Sequence, residues 1–194
     1  MTSRNLQLIK NSALPYIISI PSGSVPSDSG WPILCFLHGY DEAAPCPIQE
    51  GVSRHGPLNP HNPRRILDEF VVFAPQLDVA GDCWFQHADT VKEITKSIQK
   101  EHHGDPSRTY LTGFSYGGNG VFDLLADSPE NWAAGWAVDP TRVPRQNIDC
   151  PLWISIGSAA RRLTASFIQH LWVKPLDEEG WLETSTTWMR ARTM

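Results

Sequence analysis

Gly113-Phe114-Ser115-Tyr116-Gly117 sets a serine between two glycines, after the apolar Tyr110-Leu111-Thr112 and before the helical apolar pattern of Val121, Phe122, Leu124 and Leu125. A strand that reverses sharply into a helix needs such glycines, because side chains on either side of the serine would clash in so tight a turn. The serine hydroxyl is then left exposed at the C-terminal end of the strand. It also stands at a helix N-terminus, where free N–H groups and the helix dipole favour negative charge. The chemistry that suits this arrangement is nucleophilic attack on a carbonyl, with the Tyr116 amide as the first donor to the oxyanion. A second donor is expected from the loop after an earlier strand, and Phe36-Leu37-His38-Gly39-Tyr40 supplies that loop. The Tyr40 amide is the expected donor, with Asp41 the near alternative. His38, just behind the loop, reads as a structural hydrogen bonder rather than a base.

The elements that must position these residues show as short apolar runs, each closed by Gly, Pro or Asp. Ile33 to Leu37, Val71 to Ala74, Tyr110 to Thr112, Gly135 to Val138 and Leu152 to Ile156 are almost free of charge, as parallel strands covered on both faces should be. Tyr16 to Ile20 is expected to add an early edge strand. Val91, Ile94 and Ile98 recur at helical spacing, with Thr90 and Glu93 as a capping box and Gly104 as the stop. Val121 to Leu125 and Leu163, Phe167 and Leu171 give two further helical faces. This alternation predicts an α/β domain with a mostly parallel, doubly wound sheet flanked by helices. Residues 39 to 64, crowded with Gly, Pro, Asn and His, read as one long loop. Residues 1 to 194 read as a single domain with an atypical tail from about 172 to 194.

The composition, 41% hydrophobic and 19% charged over 194 residues, suits one globular core. A formal charge of -5 with mixed signs leaves no basic stripe for phosphates, so nucleic acid is not an expected partner. No apolar run reaches signal-peptide or membrane-span length, and the expected location is cytoplasmic. The four cysteines show no CxxC spacing, which argues against a metal site and against a disulfide framework. Trp132, Trp136 and Trp153 read as core residues.

Leu37-His38-Gly39, Ala74-Pro75-Gln76, Trp84, the run from Asp105 to Gly113 and Ser115-Tyr116-Gly117-Gly118 resemble the small carboxylesterase, phospholipase and predicted-peptidase-like group of α/β-hydrolases. The likeness spans about residues 30 to 157 and is most specific over 105 to 123. It implies hydrolysis of a small-molecule carboxylic ester through an acyl-enzyme on Ser115, an oxyanion held by the Tyr40 and Tyr116 amides, and no cofactor. It also implies an acid after a late strand and then a histidine beyond the last one. Yet Leu152 to Ile156 is followed by Gly157-Ser158-Ala159-Ala160-Arg161-Arg162, and no histidine lies beyond residue 170. Asp139 is the candidate acid, although Pro140 beside it also suits a plain turn. His170 falls at the end of the apparent Leu163 to Leu171 helix. Trp84 and His87 are candidates to line the substrate cleft. The expectation for the tail is a last strand and helix left incomplete by shortening or a frame change after about Gly180. An apolar sheet edge would then be open to self-association.

Two functions follow from these residues. One is a serine esterase, inactive if no histidine reaches Ser115; the alternative is a non-catalytic binding protein, a pseudoenzyme on the same fold. The cluster Gly113, Gly117, Gly118 and Gly120 has neither dinucleotide nor P-loop spacing, which argues against a phosphate binder.

Overall fold

A computed structural model describes residues 6–26 and 29–156, together with the backbone of two short strands at 173–175 and 189–191. Nine strands form one sheet in the order β1-β2-β4-β3-β5-β6-β7-β9-β8. These are β1 (Leu6–Ile9), β2 (Tyr16–Ser19), β3 (Trp31–Leu37), β4 (Val71–Pro75), β5 (Gly104–Phe114), β6 (Ala134–Val138), β7 (Leu152–Ser155), β8 (Val173–Pro175) and β9 (Met189–Ala191). β3 to β7 are mutually parallel, β2 and β9 run antiparallel to them on either side, and the outermost strands β1 and β8 pair antiparallel with β2 and β9. The α-helices among the described residues are α1 (Ile48–Arg54), α2 (Arg65–Glu69), α3 (Ala88–Glu101) and α4 (Tyr116–Asp127). No helix among the described residues is long and apolar enough to cross a membrane.

Strand side chains alternate between two cores, which is why the runs lack charge. Cys35, Leu37, Val71, Phe73 and Leu111 pack with α3 and α4. Phe36, Val72 and Ala74 pack the other way, with Val52 of α1 and Leu67 of α2. The tryptophans depart from expectation. Trp132 is buried, but Trp136 and Trp153 are 37% and 46% exposed. They are register partners on β6 and β7, beyond the part of the sheet where α1 and α2 contribute to the core.

Four local expectations are corrected. β2 is an interior strand, because β1 pairs along its outer side. The long loop is broken by α1 and by a 3-10 turn at Tyr40–Glu42, and α2 follows it. Ser, Gly and Arg dilute the apolar pattern of α1, so its period is invisible in sequence. The Thr90 and Glu93 box is not the start of α3. A 3-10 turn at Trp84–His87 runs directly into that helix, with the Ala88 amide bonded to Phe85 O. Gly104 opens β5, and the positive φ after α3 belongs to His103, at 52°. The expected helix Leu163 to Leu171, His170 and the strand reading of Trp181 to Trp188 lie outside the described residues.

His38 ties the strand ends together where β3 leaves the sheet. It is wholly buried, its Nδ1–H donates to Gly39 O at 2.6 Å, and its Nε2 accepts from the Leu77 amide at 3.0 Å. Its ring meets Trp84 edge-on at 5.0 Å, and Trp84 Nε1 donates to His38 O at 3.3 Å. Nε2 is an acceptor here only while the imidazole is neutral. Burial pushes the imidazole down from its ordinary value near 6.5 to about 4, against a smaller opposing effect of the Gly39 bond.

That depressed value makes the fold sensitive to mild acid. Above pH ~6.5 both states are neutral at this site and its full contribution is present. Between pH ~6.5 and ~4 the unfolded chain takes up a proton that the native state refuses, so stability falls by up to about 3 kcal/mol. Urea midpoints measured at pH 7, 6 and 5 on wild type and His38→Asn should diverge, with the acid slope much flatter in the variant. Parallel curves would show that His38 is not the group responsible.

Candidate functional site

Ser115 sits where β5 turns into α4, with φ 52° and ψ −109°. This is left-handed backbone that a residue with a Cβ avoids, and it persists only where the surroundings impose it. The surroundings here are two glycines with no space for a side chain. A Cβ on Gly113 would lie 2.3 Å from Gly117 O, and one on Gly117 would lie 2.0 Å from Leu37 O and 2.7 Å from His38 O. The start of α4 is therefore laid directly on the end of β3, and the loop after β3 comes beside Ser115. Ser115 N also donates to Val138 O at 2.8 Å, which joins the turn to the end of β6.

Two helix starts lie at this corner. Tyr116 opens α4, and Tyr40 and Asp41 open the 3-10 turn at Tyr40–Glu42, so these N–H groups precede any helical acceptor. The Gly39 amide is committed, donating to Glu42 Oε2 at 2.5 Å. The Tyr40 ring, 51% exposed, meets the Tyr116 ring edge-on at 5.7 Å. Tyr116 Oη contacts Cys83 Sγ at 3.2 Å and donates to Gly81 O at 3.3 Å. The Cys83 contact, then burial, push the Tyr116 hydroxyl up to about 12, so it remains a neutral donor at physiological pH.

Asp139 follows β6 at φ 51°, and its amide donates to Ser155 O at 2.7 Å. It thus lies one strand over from Ser115, at the same end of the sheet. The loop behind it is held to α4 by Asn119, whose amide bonds the Thr141 hydroxyl at 2.7 Å and whose Oδ1 accepts from Thr141 N at 3.0 Å. Arg142 adds a two-pronged bond to Asp123 at 2.6 and 2.7 Å. Trp84 is not cleft lining: at 1% exposure it belongs to the core, against His38 and α4. His87 is partly exposed and bonded through Nε2 to Asp82 at 2.6 Å, which holds the Asp82 carboxyl below the ordinary carboxylate range.

The chain has seven histidines. Among the described ones, none hydrogen-bonds the Ser115 hydroxyl. His38 and His87 are engaged as above, and the backbone amide of His61 donates to an Asn59 side chain in an exposed turn. His102 and His103 follow α3 at the start of β5, the end of that strand away from Ser115. His55 follows α1 and stacks on Phe114, ring centroids 4.2 Å apart, with Nε2 3.4 Å from Glu42 Oε1. This last grouping was not anticipated from the sequence. Glu42 lies three residues after Gly39, the spacing at which a carboxylate can reach back to the N-cap amide, which could have flagged it; the partnership with His55 has no sequence signal.

No protein-family model matches the chain, nor does any curated protein. Solved structures do. A thermostable esterase aligns over 77% of this chain and 45% of its own, at TM-score 0.61 and 22% identity. An acetyl xylan esterase from Aspergillus awamori aligns over 69% and 51%, at 0.54 and 17%. Porphyromonas gingivalis dipeptidyl peptidase 4 aligns over 75% and 22%, at 0.52 and 18%. The chain spans about half or less of each of these proteins. At such identities the likeness speaks to architecture, and it agrees with the strand order, the parallel centre and the turn at Ser115: the chain is built on the α/β-hydrolase fold.

Proposed function

We propose that this protein is a serine hydrolase of carboxylesterase type, acting on a small-molecule ester. The observation that carries the reading is the strained backbone of Ser115, φ 52° and ψ −109°, at the start of α4 beside the 3-10 turn that Tyr40 opens. Strain at a non-glycine residue is retained where function benefits from it. In this reading Ser115 Oγ attacks the ester carbonyl, and the carbonyl oxygen gains charge against the Tyr40 and Tyr116 amides. The alcohol leaves, and water releases the acyl group from Ser115. The reaction requires a histidine at Ser115, which none of the described ones supplies, to take its proton and return it to the leaving alcohol; Asp139 at the adjacent strand end is the proposed acid behind it. The exposed Tyr40 ring, Tyr116 and the exposed Phe85 offer an apolar rim for an acyl or alcohol group.

A fluorescent phosphonate should label the folded protein and leave Ser115→Ala unlabelled. p-Nitrophenyl butyrate turnover should drop roughly 10³-fold or more in that variant. Equal, background-level labelling of both folded proteins would replace this reading with the alternative, a binding protein on the same scaffold.

Strain can be read separately from chemistry. Ser115→Gly removes the nucleophile but suits the left-handed backbone, so it should be more stable than Ser115→Ala by about 1 kcal/mol in denaturant titration. A glycine variant no more stable than the alanine variant would mean that the turn is not strained.

A further inference from the structure

The proposed oxyanion loop is held by a buried carboxylate, and beside that carboxylate lies a histidine that follows a separate helix. Glu42 is 3% exposed. Its Oε2 accepts the Gly39 amide at 2.5 Å, and its Oε1 faces His55 Nε2 at 3.4 Å. Gln76 Nε2 donates to the backbone oxygens of Glu42 and Cys46, at 2.8 Å each, so the turn is pinned from the end of β4 as well. On the remaining side α1 presses close, since a Cβ on Gly51 would lie 2.4 Å from Glu42 O. His55 follows α1, and its ring lies on Phe114, the residue directly before Ser115.

Burying a carboxylate is strongly unfavourable unless its oxygens are bonded. A residue that only filled space in this turn would be apolar. What the carboxylate does here is commit the first amide of the loop, that of Gly39. Gly39 N–H points to Glu42, so an incoming oxyanion meets Tyr40 or Asp41 rather than a choice of three donors. His55 touches both ends of the arrangement, the carboxylate on the loop and the ring of Phe114 on the nucleophile strand.

We infer that Glu42 and His55 are a positioning pair, which fixes the Gly39-Tyr40 peptide against the Ser115 turn and so sets the oxyanion donor. Neither residue is assigned contact with substrate. The inference rests on the proposed hydrolase reading for its kinetic consequence, but not for its structural one.

Four proteins test it: wild type, Glu42→Ala, Glu42→Gln and His55→Phe, each compared per folded molecule. Ester kinetics should show kcat about 30-fold lower in Glu42→Ala with KM little changed, because a misplaced donor fails chiefly in the transition state. Glu42→Gln keeps an acceptor oxygen and should recover kcat to within about 3-fold of wild type. His55→Phe keeps the stack on Phe114 but loses the imidazole, and should sit between them. Amide NMR gives the second readout, independent of turnover. The Gly39 proton should be downfield and slow to exchange in wild type and Glu42→Gln, and both features should be lost in Glu42→Ala. An unchanged Gly39 amide in Glu42→Ala overturns the pair. So does an active enzyme in which Glu42→Ala retains wild-type kcat, or in which glutamine fails to rescue it. If wild type and Ser115→Ala prove equally inert, the hydrolase reading fails alone, and the pair is judged on the Gly39 amide.

Discussion

The backbone of Gly117 runs so close to the end of β3 that a methyl group there would lie 2.0 Å from one carbonyl oxygen and 2.7 Å from the next. Everything at the site depends on that approach. With it, the first turn of α4 rests on the strand that launches Tyr40, and two elements 76 residues apart in number, Tyr40 and Tyr116, bring their rings into contact. Without it α4 would stand off, the turn could relax, and Ser115 would have no reason to remain at φ 52°. The strain at the serine is thus maintained by packing elsewhere, with β5 held between β3 and β6 along its length.

Polar groups buried behind the site do a second job, which is to spend each donor and acceptor in a determined way. His38 uses both ring nitrogens on backbone groups, and its carbonyl takes the Trp84 indole. Gln76 joins two carbonyls of the turn after Tyr40, and Glu42 takes the Gly39 amide. Because an unpaired buried polar atom costs about 1–3 kcal/mol, such a network has few alternative arrangements. It commits the Gly39 amide to Glu42 at the start of the turn that carries Tyr40 and Asp41. The same economy explains why His38 and Trp84 do not serve the cleft. Their polar atoms are consumed in the core.

The sequence by itself determined the centre of this protein. β3, β4, β6, β7 and the second half of β5 were legible because charge-free runs bounded by turn residues leave little choice of element; the first half of β5, with Asp105 and Arg108, was not. The turn at Ser115 was legible because glycine at 113 and 117 is a local steric demand. Those constraints act over a few residues, so a linear reading captures them. Only the tertiary structure decided what depends on which surfaces meet. It set β1 outside β2, made a helix of Ile48–Arg54 in an apparent loop, buried Trp84 and left Trp136 and Trp153 half open. It also joined Glu42 to His55, 13 positions apart, through a helix whose weak period gave no notice of it. Pairings of that kind arise from the space between packed elements, and no local pattern in the chain records that space.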